Sequence, residues 1–126
     1  MPLQRLAWVA GIILGLTGVV SGALGAHALE SRLSPDQLDS YETAVRFQMY
    51  HALLFVALAI AMQHLGTGRW LRLATLLLLV GVILFSGSIY LLVLTPLRPG
   101  LLTPLGGLLL ILGWAALLGV QWKKGG

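Results

Sequence analysis

Eight residues could do chemistry in a chain that is otherwise mostly apolar: His27, Arg46, Gln48, His51, Ser86, Ser88, Tyr90 and Thr103. Two imidazoles offer groups that titrate near neutral pH and suit zinc, copper, iron or nickel. The amide, hydroxyls and guanidinium offer hydrogen bonds to a small ligand. Metal ligation by His27, His51 and Glu42 fits no known ligand spacing, and haem between the two histidines would need room that a glycine-rich neighbouring helix denies. A proton relay for transport is served poorly by a chain without a visible inverted repeat. The plainest reading is a satisfied hydrogen-bond network that pins helix register, because polar groups at membrane depth are costly unless they face one another. No metal and no cofactor are expected.

Other catalytic apparatus is missing from the sequence. There is no cysteine, which excludes disulfides, thiolate catalysis and cysteine-ligated iron–sulfur clusters. No phosphate loop, G-x-G-x-x-G or nucleophile–base–acid set stands in the chain. The expectation is a protein that is not an enzyme, with the polar cluster the one place where catalysis could reside.

The elements that must position these residues are four apolar runs, 6–26, 47–63, 70–94 and 101–122. About 20 helical residues cross a hydrocarbon core of roughly 30 Å. The 126 residues are 58% hydrophobic and 10% charged, against roughly 25% charged in soluble domains. Lipid is therefore the expected solvent. The predicted fold is all-α: a single four-helix transmembrane domain over 1–126, spans at about 6–26, 44–64, 70–94 and 103–122, packed up-down-up-down because the connections are short.

The basic residues are not gathered into a patch, so nucleic acid is not an expected partner. They lie beside span ends. Arg5, Arg69, Arg72, Lys123 and Lys124 flank one side; Arg32, Arg46 and Arg98 flank the other, together with all four acids. This bias puts both termini in the cytoplasm of a bacterial inner membrane. Trp8, Trp70 and Trp122 then fall at the inner interface, Tyr41 and Tyr90 toward the outer one, and the polar cluster in the outer half. Arg5, an apolar stretch and Ala26-His27-Ala28 imitate a secretory signal, but the stretch exceeds the usual 7–15 residues; an uncleaved first span is expected.

Gly11, Gly15, Gly18, Gly22 and Gly25 recur at spacings of 4, 3, 4 and 3, which places them on one stripe of the first helix. Such a seam lets another backbone approach closely in lipid, whether from the same chain or from a partner. Ser34-Pro35-Asp36-Gln37 reads as a capping box with proline at the first helical position, opening one helix from Pro35 to about His64. Its first part is amphipathic and outside the membrane, with Leu38, Tyr41, Val45 and Met49 on the apolar stripe. Glu42 and Arg46 form an i,i+4 pair there. Thr95-Pro96-Leu97-Arg98-Pro99-Gly100 makes a short turn, and Thr103-Pro104 starts the last helix.

Four segments then carry a resemblance: Gly22-Ala23-Leu24-Gly25-Ala26-His27-Ala28-Leu29; Tyr50-His51-Ala52-Leu53 with Gln48 ahead of it; Leu84-Phe85-Ser86-Gly87-Ser88-Ile89-Tyr90; and Thr103-Pro104-Leu105-Gly106-Gly107. Together and in order they resemble the YgdD/YwdK family of small multi-pass bacterial membrane proteins. The resemblance implies a four-helix inner-membrane protein without an assigned activity and brings no catalytic residues. The combined expectation is a non-enzymatic interaction or accessory protein, partnered by lipid, a second copy or another membrane protein. The alternative is binding or transport of a small ligand, lipid, ion or proton at the polar cluster.

Overall fold

The structure is a computed structural model that describes residues 2–121. Trp122, Lys123 and Lys124, invoked above for the interface and the charge balance, lie outside the described residues. The described residues fold into four helices: α1 (Leu3–Leu24), continued by a π-helical turn (Gly25–Leu29), α2 (Pro35–Leu65), α3 (Arg69–Leu94) and α4 (Leu102–Ala116), which tightens into a 3₁₀ turn (Leu117–Gly119). All four helical segments are long and apolar enough to cross a membrane.

Local chemistry sets the helix boundaries. Ser34 accepts from the Gln37 amide at 3.2 Å while the Gln37 side chain accepts from the Ser34 amide at 3.0 Å, closing the capping box at the start of α2. Gly66 ends α2 with φ 74, a backbone conformation that only glycine adopts freely, and the chain reverses into α3 within three residues. The 31 residues of α2 extend about 46 Å, well beyond a hydrocarbon core of roughly 30 Å. Its first turns project past the apolar zone, with Tyr41 buried on the bundle side and Asp36, Asp39 and Glu42 exposed. Arg46 does not turn to Glu42 there; it donates to the Thr43 hydroxyl at 3.2 Å. An exposed ion pair gains too little to hold two long side chains in one geometry.

Sequential helices are antiparallel neighbours: α1 packs on α2, α2 on α3 and α3 on α4, whereas α1 and α4 stay apart. The glycine seam of α1 is spent inside the chain. A methyl group at Gly11 would stand 2.9 Å from the Ala52 carbonyl oxygen, one at Gly18 would collide with the Met49 sulfur, and one at Gly25 would stand 2.7 Å from the Tyr41 ring. The seam therefore belongs to the α1–α2 contact and is not available to a partner. A second seam joins α3 to α4 through Gly81, Gly106 and Gly113, with Gly81 and Gly106 meeting backbone to backbone.

The interior has two apolar parts. Phe55, Leu58, Met62, Leu71, Leu78, Val82 and Leu110 fill the half nearer the termini. Tyr41, Ala44, Ile89 and Val93 fill the end that carries the α1–α2 and α3–α4 loops. A belt of polar side chains lies between them.

Candidate functional site

Gln48 is the hub of that belt. Buried on α2, its amide nitrogen donates to the Thr17 hydroxyl at 2.7 Å and the Leu14 carbonyl at 3.0 Å, both on α1. Its amide oxygen accepts from the Tyr90 hydroxyl of α3 at 2.6 Å. One side chain thus ties three helices. Beside it, Tyr41 donates to the Ser21 carbonyl of α1 and meets Tyr90 edge-to-face, with ring centroids 5.4 Å apart.

His51, one turn along α2, points elsewhere. Its Nδ1 lies 2.7 Å from the Phe47 carbonyl and its Nε2 lies 3.1 Å from the indole nitrogen of Trp114 on α4. The indole can only donate and the carbonyl can only accept. His51 is therefore the neutral Nδ1–H tautomer, with Nε2 as an acceptor. Both ring nitrogens are engaged within the chain.

Two smaller clamps complete the belt. Ser86 of α3 donates to the Ala44 carbonyl of α2 at 2.8 Å. Ser88 bonds the Thr103 hydroxyl, joining α3 to α4, and also donates to the Phe85 carbonyl at 3.0 Å. Among the described residues, no buried side-chain nitrogen or oxygen lacks a partner.

Of the eight residues singled out from sequence, the structure brings Gln48 to Tyr90 and Ser88 to Thr103, and sets His51 and Ser86 in separate clamps. His27 lies exposed in the π turn and Arg46 is exposed on α2; neither joins these bonds. Thr17 and Trp114 are members of the network that the sequence reading passed over. Each carried a signal: a hydroxyl within an apolar span needs a partner, and so does the N–H of an indole far from the membrane interface.

Because α4 leans on α3 and not on α2, a cleft of about 710 Å³ opens between α2 and α4. Phe47, His51, Pro104, Gly107, Ile111 and Trp114 line it. Its wall is almost wholly apolar, and the His51–Trp114 pair is its main polar feature. The stacked rings of Phe47 and His51, 6.2 Å between centroids, continue to Phe85 at 4.5 Å from Phe47.

Four bilayer-length helices, two glycine seams and a polar belt inside the apolar zone define a polytopic integral membrane protein. The chain belongs to the family described as "Protein of unknown function (DUF423)", which matches residues 21–107. It is 41% identical over 108 residues to the UPF0382 membrane protein YwdK of Bacillus subtilis, covering 84% of this chain and 87% of the relative. The UPF0382 inner membrane protein YgdD of Escherichia coli K12 is 35% identical over 116 residues, 91% of this chain and 88% of the relative. The UPF0382 membrane protein SH2409 of Staphylococcus haemolyticus is 39% identical over 117 residues, 91% and 93%. The resemblance read from the four motifs is thereby confirmed. No solved structure matches the chain.

Proposed function

We propose that this protein is a non-enzymatic accessory component of the inner (cytoplasmic) membrane that acts by packing a partner's transmembrane helix into the α2–α4 cleft. The cleft itself supports this reading. It follows α4 from Pro104 to Trp114, which is about 15 Å of helix, and it sits among residues at bilayer depth. Gly107 lies in its wall and presents no side chain, so an incoming helix can approach the backbone closely, as small residues allow in lipid. The first seam, by contrast, is already filled by α2.

Gly107→Leu tests the proposal. A methyl group there meets Phe85 at 3.6 Å, an ordinary contact, so the longer side chain enters the cleft and leaves the α3–α4 packing intact. Native mass spectrometry of protein released gently from its own membrane is expected to show a complex, either with another membrane protein or with a second copy. Gly107→Leu reduces that complex to the bare chain with an unchanged melting temperature. A wild-type chain released alone, or a complex that survives Gly107→Leu, overturns the proposal.

The same reading places both termini in the cytoplasm, supported by Arg5, Arg69 and Arg72 flanking that end. A C-terminal alkaline phosphatase fusion is then expected to be inactive and a C-terminal green fluorescent protein fusion to be bright. The opposite pattern reverses the orientation.

A further inference from the structure

At the end of the bundle opposite the α1–α2 and α3–α4 loops, the start of α1 and the end of α2 enclose a second groove, of about 450 Å³. Gln4, Arg5, Trp8, Ala59, Ile60 and Gln63 line it. Neither the polar belt nor the α2–α4 cleft involves these residues. We propose that this groove is a binding site for one anionic phospholipid, with the headgroup phosphate on Arg5 and Gln63 and an acyl chain against Trp8, Ala59 and Ile60.

The groove is amphiphilic along its length, as a lipid is. Its polar mouth is organised by Gln4, whose amide nitrogen donates to the Ala59 carbonyl at 3.1 Å and to the Gln63 side-chain oxygen. That contact fixes the Gln63 amide with its oxygen toward Gln4, which leaves its nitrogen as a donor for a ligand. Arg5 is exposed beside it, and a guanidinium presents paired donors that match a phosphate. Trp8 follows one helical turn deeper and is 47% exposed. An indole belongs at the headgroup level of a bilayer, which sets the groove's height at the lipid–water boundary.

Charge selects the class of lipid. This end carries Arg5, Arg69 and Arg72, and among the described residues no acid accompanies them. Glu30, Asp36, Asp39 and Glu42 all lie near the loop end. A zwitterionic headgroup would bring its ammonium into an unrelieved positive field, whereas phosphatidylglycerol brings only negative charge. Basic sites between helices at a membrane surface hold anionic headgroups in this way.

The experiment is native mass spectrometry of the full chain equilibrated with equal amounts of dioleoyl phosphatidylglycerol and dioleoyl phosphatidylcholine. The first lipid retained is expected to favour phosphatidylglycerol by about fivefold, the effect of one arginine near the surface. Arg5→Gln brings the ratio to parity. Arg69→Gln removes an equal charge from the same end, but its guanidinium lies over the Trp70 ring, 5.6 Å from the centroid, and it does not line the groove; the preference persists. Equal retention by the wild-type chain, a preference that survives Arg5→Gln, or an equal loss in Arg69→Gln overturns the site. Displacement of the lipid by millimolar inorganic phosphate also overturns it, since the acyl contacts would then contribute nothing.

Discussion

Gly106→Ala is expected to destabilise the bundle by about 2–3 kcal/mol, at the upper end of what overpacking a filled interior costs. The neighbouring Gly107→Ala is expected to change stability by less than about 0.5 kcal/mol, as substitutions away from tight contacts do. A methyl group at Gly106 would stand 2.9 Å from the Gly81 carbonyl oxygen and 2.9 Å from the Leu84 carbonyl carbon, and closer still to the Phe85 amide nitrogen. All three are backbone atoms, so no rotamer change makes room. Relief requires α4 to move off α3, which also withdraws Gly81 from the Leu110 backbone and Gly113 from Leu78. Lipid offers no hydrophobic force to pull the helices back, because association there depends on close van der Waals packing. At Gly107 the same methyl group touches only the edge of the Phe85 ring, at 3.6 Å or more. Reversible unfolding in mixed micelles, with alanine at each position in turn, reads the difference. Equal effects at the two positions would mean that α3 and α4 do not approach as closely as their glycines suggest.

This pair also marks where sequence reasoning reached and where it stopped. The first seam was visible because five glycines recur without interruption at helical spacing along one run. Its partner was not, since spacing identifies a face and not what covers it. The second seam is divided between two helices. On α3, Gly81 is accompanied only by Gly87, six positions on and off its face, and Gly106 and Gly113 are seven apart on α4, so each contribution resembles the scattered glycine common in membrane spans. Only the antiparallel α3–α4 pairing makes it continuous.

The long α2 helix was legible for a different reason. Ser34, Pro35 and Gln37 are a local signal whose geometry needs no tertiary help, and the bonds form as expected. Polar residues in the spans were legible as a set by cost alone. Their pairings were not, because depth in the membrane does not give azimuth around a helix. Gln48 and His51 differ by three positions, yet one reaches α1 and α3 while the other reaches α4. His27 lies ten residues beyond Thr17, about 15 Å along the helix, so it falls past the level of Gln48, exposed in the π turn at the end of α1.

Gln48→Met is expected to cost about 2 kcal/mol, three interhelical hydrogen bonds at the roughly 0.6 kcal/mol average measured for such bonds in membranes. Methionine keeps nearly the same volume, so little cavity term is added. The losses are unequal. Thr17 still donates to the Ile13 carbonyl at 2.7 Å, and the Leu14 carbonyl sits within a helix that already supplies it a donor. The Tyr90 hydroxyl loses the Gln48 oxygen it bonds at 2.6 Å and keeps only the Ser21 side chain as a polar neighbour. Tyr90→Phe should therefore recover part of the cost when added to Gln48→Met, and the double-mutant cycle should give a coupling between about 0.6 and 1.7 kcal/mol. Thr17→Val should couple more weakly, because its hydroxyl has a second partner. A cycle with no coupling between Gln48 and Tyr90 would remove the belt as a determinant of register. The expected coupling has a geometric consequence. Sliding α2 by one turn, about 5.4 Å, breaks the bonds to Leu14, Thr17 and Tyr90 together, while the apolar faces above and below would still find apolar neighbours. In a bilayer, where one leucine-rich face packs much like another, the polar belt joins the glycine seams in distinguishing the native alignment from its shifted alternatives.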